Sequence, residues 1–142
     1  MDCIFCNIKN TEDPTFIKDF GNWILRINPF QFLLGVCGLV PKDHKEGLTS
    51  LSEPEVIEAF NHLQAIEQSI QKSFSPDWFN YLQTNNNVRH LHFHIVPRYK
   101  NPVQFLDEEF IDATFNAMPT ENTRQLPEET MQKLIAAIQT NL

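Results

Sequence analysis

The sequence predicts an α+β fold: a five-stranded antiparallel sheet, one long helix and a short C-terminal helix. Three observations predict it. Residues 15–29, TFIKDFGNWILRINP, form two short strand-like runs around a turn signal at Gly21-Asn22. Residues 52–75 carry apolar side chains at helical spacing. Residues 78–96 return to two strand-like runs, WFNYLQ and RHLHFHIV, joined by Thr84-Asn85-Asn86-Asn87.

Each element has its own justification. Trp23, Leu25 and Ile27 alternate with Ile24, Arg26 and Asn28, the period of a strand with unlike faces. LLGVCGLVPK, residues 33–42, is more continuously apolar and is expected to be a buried strand ending at Pro41, completing a meander. Ser52 is placed to cap the long helix and Glu55 to complete a capping box, with Pro54 tolerated in the first turn. Val56, Ile57, Phe60, Leu63, Ile66 and Ile70 then predict a single apolar stripe, and Pro76 ends it. The tail is weaker in pattern. Residues 100–127 are expected as loops and short turns, and PEETMQKLIAAIQTNL as a helix with Met131, Leu134, Ile135 and Ile138 inward. With no repeat and no linker, residues 1–142 are expected to be one domain, with a core over 1–100 and an extension over 101–142.

Composition excludes some functions. A formal net charge of −7 disfavours nucleic-acid binding, because a phosphate backbone favours clustered cations. Arg89, Arg98 and Lys100 nevertheless flank the histidine-rich stretch, so a small anionic ligand fits. No apolar run approaches the roughly 20 residues of a bilayer span, so no membrane role is expected. The opening MDCIFC lacks the basic and apolar regions of a signal peptide, and three cysteines are unlike a secreted disulfide framework. The expected setting is cytoplasmic.

The chemistry concentrates in VRHLHFHIVPRY, residues 88–99. In a strand, His90, His92 and His94 project from one face while Leu91, Phe93 and Ile95 pack on the other. Metal binding is one reading. Cys3 and Cys6 suit zinc but supply only two ligands, and His44 with one histidine of the row is the economical completion. Nucleophilic catalysis is the other: an imidazole, largely neutral at pH 7, attacks phosphorus when its second nitrogen is held by a hydrogen bond. His94 and the Asn85–Asn87 turn are placed to face phosphate oxygens. Cys37 reads as a core thiol and His62 as a solvated surface histidine. Trp23, Phe5 and Ile8 are candidates for a base pocket, with core packing the plainer role of each.

These residues resemble the histidine triad (HIT) superfamily of nucleotide hydrolases and transferases. His90-Leu-His92-Phe-His94-Ile-Val matches its signature, Pro97-Arg98 follows, LVPKDH resembles the segment leading to a further motif histidine, and CIFC resembles the opening of many bacterial members. The resemblance spans about residues 1–100. It implies a HIT-like fold and His92 as a nucleophile forming a nucleotidyl–histidine intermediate, oriented through a carbonyl near His90. It further implies His94 at the α-phosphate and Asn86 as a polar helper. Cys3, Cys6, His44 and His90 correspond to the ligands of a structural zinc, and a homodimer is implied, through the exposed helix face or a sheet edge. Asn28 stands where an Asp usually holds the ribose hydroxyls, and the usual Gly-rich turn is shortened; the chain most resembles a bacterial subgroup described as diadenosine-tetraphosphate hydrolase-like. The expected substrate is a nucleotide or dinucleoside polyphosphate. Two other readings compete: a non-catalytic nucleotide- or partner-binding module, and a metallohydrolase with zinc on all three row histidines.

Overall fold

The computed structural model describes residues 3–7 and 12–142; Ile8, a candidate for a base pocket, lies outside them. A short helix α1 (Ile4–Asn7) precedes strands β1 (Phe16–Asp19), β2 (Trp23–Ile27) and β3 (Cys37–Pro41). The long helix α2 (Glu53–Phe74) follows, then β4 (Trp78–Leu82), β5 (Phe93–Arg98), a hairpin of β6 (Val103–Phe105) and β7 (Glu108–Phe110), and α3 (Glu128–Thr140). The first five strands form one antiparallel sheet in the order β1-β2-β3-β5-β4. The expected α+β architecture is therefore present, and no described helix is long and apolar enough to cross a membrane.

Local chemistry explains the boundaries. Gly21, at φ 96°, makes the β1–β2 turn, with its N–H donating to Asp19 at 2.8 Å. Both bonds of the predicted capping box form: Glu55 N–H donates to Ser52 Oγ at 3.4 Å, and Ser52 N–H to Glu55 Oε2 at 2.7 Å. Ser75 closes α2 at φ 52°, just before Pro76.

Four expectations are corrected. The strand predicted over 33–42 is confined to Cys37–Pro41. Gly35 sits at φ 89°, and the buried Gln31 side chain accepts from Gly35 N–H and donates to the Asn28 and Val36 carbonyls, fixing a loop instead. The strand predicted over 89–96 starts only at Phe93; Leu91 N–H bonds to the Lys45 carbonyl, which draws residues 90–91 towards the loop after β3. Residues 100–127 contain the unforeseen β6–β7 hairpin, turned at Leu106 with φ 53°. The α2 stripe splits. Ala59, Ile66, Ser69, Ile70 and Phe74 are buried, while Val56, Ile57 and Phe60 are exposed, Phe60 by 64%. The buried half has a partner in α3, where Ser69 Oγ donates to the Ile138 carbonyl at 2.7 Å.

The sheet's two faces differ. One carries Leu25, Leu39 and Ile95 into the main core with α2 and α3. The other carries Val36 and Val96 into a small cluster with Phe32 and Leu33, and leaves the rest of that face for the site. Arg98 ties the extension to this second face. Its guanidinium pairs with Asp112 (Nε–Oδ2 2.7 Å) and donates to Asn80 Oδ1 and to the Thr114 and Ala117 carbonyls. Both charged side chains are only 2% exposed. Arg98 is thus a structural cation and not part of a phosphate-binding flank. Removing Asp112 strands a buried charge, so Asp112→Ala is expected to lower unfolding free energy by about 3–5 kcal/mol in urea denaturation.

Candidate functional site

Two clusters meet at the start of β5. The first gathers Cys3, Cys6, His44 and His90, whose ligand atoms all lie within 4.8 Å of one another. Cys3 Sγ is 3.4 Å from His90 Nδ1, Cys6 Sγ is 3.5 Å from the same nitrogen, and Cys6 Sγ is 3.3 Å from His44 Nδ1. Metal–ligand bonds of about 2.3 Å to sulfur and 2.0–2.1 Å to nitrogen give a tetrahedral S–N edge of about 3.5 Å. The four donors therefore fit a structural zinc. His90 Nε2, 2.7 Å from the Pro41 carbonyl, must be the protonated nitrogen, because a carbonyl only accepts. Nδ1 is left as the lone pair aimed at the thiols, the usual outer-shell arrangement of a ligating histidine.

The sequence fixes this cluster by local means. The α1 turn sets Cys3 and Cys6 side by side, with Cys6 N–H bonded to the Cys3 carbonyl at 3.1 Å. The loop after β3 brings His44, and the Leu91–Lys45 bond presses His90 against it. Among the described residues, His90 is the sole member of the row in the cluster, which counts against zinc held by all three.

The second cluster is a cavity of about 230 Å³ on the free face of the sheet. His92 and His94 form one wall, with ring centroids 4.7 Å apart. His92 Nδ1 is 2.7 Å from the His90 carbonyl and by the same reasoning carries the proton. In the neutral ring this tautomer leaves Nε2 as the lone pair. Burial, and then the neighbouring His92, push the His94 pKa below the ordinary histidine value, with Glu121 opposing, which favours its neutral form. Asn28 lines the same cavity from the end of β2. Its Oδ1 accepts from Phe30 N–H at 2.9 Å, which leaves the amide nitrogen as its outward group.

Asn86 is not brought to this cavity. It lines a separate hollow with Cys3, Ile4 and His44, over the first cluster. Its neighbour Asn85, at φ 52°, donates to the Glu46 carbonyl at 2.7 Å and anchors the turn. Asn80, on β4, is committed to Arg98, its Oδ1 accepting from Nη1 at 2.6 Å. Trp23 is core, and Cys37 is a buried thiol whose pKa burial pushes far up. His62 is not simply solvated: it stacks on Phe20 with centroids 4.5 Å apart. Phe5 belongs to the cavity, its ring 5.0 Å from that of His92.

Sequence reasoning missed Arg26 and Gly38. Arg26 lines the cavity with its side chain 12% exposed, ion-paired to Asp13 at 2.8 Å. Burial lowers its pKa and Asp13 opposes that shift. Gly38 lies opposite both Arg26 and His94 in the sheet, and its missing side chain leaves the space between them open. The polar period of β2 was the available signal for Arg26.

Comparison with known proteins agrees with this arrangement. Residues 15–101 match the HIT domain family model. An uncharacterized HIT-like protein of Methanocaldococcus jannaschii is 31% identical over 108 residues, covering 69% of this chain and 80% of the relative. A yeast adenosine 5′-monophosphoramidase (Saccharomyces cerevisiae) is 28% identical over 104 residues, covering 68% of this chain and 62% of its own length. Among solved structures, a hypothetical histidine triad nucleotide-binding protein of Sulfolobus tokodaii superposes with a TM-score of 0.80 at 20% identity, covering 98% and 91% of the two chains. A zinc-bound histidine triad family protein of Mycobacterium smegmatis gives 0.69 at 23%, covering 99% and 95%.

Elemental analysis of purified protein is expected to give about one zinc per chain. Cys6→Ala should lose it, and strong chelation of the wild type should cause slow loss of structure followed by circular dichroism.

Proposed function

Because this chain belongs to the HIT family, we propose that it is a nucleotide hydrolase or transferase acting at the α-phosphate through a nucleotidyl–histidine intermediate on His92. The observation that carries the reading is the 2.7 Å bond from His92 Nδ1–H to the His90 carbonyl, which leaves Nε2 as the free nucleophilic nitrogen in the cavity. Nε2 attacks the α-phosphorus; the N–P bond forms as the bond to the leaving group breaks, and that group departs with the electron pair. Neutral His94, beside it, supplies an N–H to the non-bridging oxygens where charge builds. Water then attacks the same phosphorus, the N–P bond breaks, and a nucleoside monophosphate leaves with His92 restored. Asn28 is the ribose contact in this reading, through its outward amide. Asn86 lines the neighbouring hollow and is given no helper role in this reading. Cys3, Cys6, His44 and His90 would hold the zinc, which would serve as a structural clamp outside the chemistry.

Dinucleoside polyphosphates are the first substrates to test, with nucleoside phosphoramidates beside them, given the yeast relative. The wild type is expected to release AMP from diadenosine tetraphosphate, and His92→Ala to lose this by several orders of magnitude in a chromatographic assay. Unchanged turnover in the variant overturns the reading. Tight AMP binding without turnover in the wild type would favour a binding module instead. Cysteines placed as zinc ligands suit a reducing, cytoplasmic setting.

A homodimer is part of the same reading. Strand β4 is a sheet edge bearing exposed Trp78 and Tyr81, and it adjoins the exposed Val56 and Phe60 of α2 around an apolar groove of about 410 Å³. Two identical edges paired about a twofold axis would continue the sheet and cover both grooves. Phe60→Glu is expected to convert a dimer to a monomer in sedimentation.

A further inference from the structure

The substrate cavity holds one charged group that the proposed chemistry does not use. Across the sheet, Arg26 of β2, Gly38 of β3 and His94 of β5 are directly opposite one another. Directly opposed residues share a face, and two interstrand steps separate Arg26 from His94 by about 10 Å of backbone. With the phosphate at His92 and His94 and the ribose beside Asn28, the base falls at the end of the cavity lined by Phe5 and Arg26.

The state of Arg26 selects what it binds there. Nε and Nη2 both donate to Thr15 Oγ1, and Nη2 also meets Asp13 Oδ2 at 2.8 Å. Among the described residues, Nη1 has no hydrogen-bond partner. The guanidinium carbon lies 5.5 Å from the Phe5 ring centre, and its bonds to Thr15 and Asp13 hold the group at the cavity wall. Asp13 balances its charge, so it is not an anchor for a further phosphate. It offers a neutralised, fixed N–H edge beside an aromatic wall. The complement is a flat ring with an exocyclic carbonyl. An exocyclic amine would bring donor against donor.

We propose that Arg26 sets base specificity, donating from Nη1 to the exocyclic carbonyl of a 6-oxopurine and thereby disfavouring adenine. The inference rests on the reading of this cavity as a nucleotide site. Calorimetric titration of the zinc-loaded full chain with GMP, IMP and AMP tests it. The wild type is expected to bind GMP and IMP about tenfold more tightly than AMP. Arg26→Leu is expected to remove that gap, and Arg26→Lys to keep part of it, each with an unfolding midpoint measured alongside. If Arg26→Leu, which frees Asp13, fails to fold, Arg26→Lys decides: a narrowed gap supports the role of Arg26, and an undiminished gap overturns it. Equal wild-type affinities, or a gap that persists in Arg26→Leu, overturn the role of Arg26 and leave the nucleotide site standing. No binding of any of the three nucleotides overturns both.

Discussion

One histidine makes three bonds on which the rest of the site depends. His90 turns Nδ1 to the thiols, gives Nε2–H to the Pro41 carbonyl, and accepts from His92 through its own carbonyl. Each bond constrains a different level of structure. The first joins the N-terminal segment to the sheet, the second locks the ring against the end of β3, and the third decides which nitrogen of His92 faces the cavity. A displaced His90 would disturb ligand set, strand junction and tautomer together. Its complete burial keeps water from competing for any of the three.

Much of this was legible because the chemistry is written locally. The Cys3–Cys6 spacing, the alternation of His90, His92 and His94, and the Ser52–Glu55 box each lie within a few residues, where backbone geometry alone fixes the outcome. Even the error in strand length left the histidine reading intact: His92 lies just before β5, yet its ring still stands beside that of His94. Side-chain alternation outran the hydrogen-bonded ladder.

What was illegible depended on partners far along the chain. Arg98 reads as one of several cations near the histidines, and only the fold delivers Asp112 and two carbonyls to bury it. The β6–β7 hairpin turns at Leu106 without the Gly or Asn that usually announces such a turn. The α2 periodicity was correct as a period and wrong as a surface, since spacing says which residues share a face and not how far the neighbouring layer extends. Asn86 was misplaced for a related reason: its turn is pinned through Asn85 to the Glu46 carbonyl, a contact across 39 positions in sequence.

The row of Arg26, Gly38 and His94 gives the cavity a built-in ruler. Its width is counted in interstrand steps, and the floor between is a residue without a side chain. Neither end of the ruler belongs to the main hydrophobic core. The two ends are held by different partners, Asp13 and Thr15 at Arg26 and the His90 carbonyl at His92 beside His94. Such a layout gives the two ends of the cavity separate supports, although the Arg26 end is itself part of a partly buried ion pair.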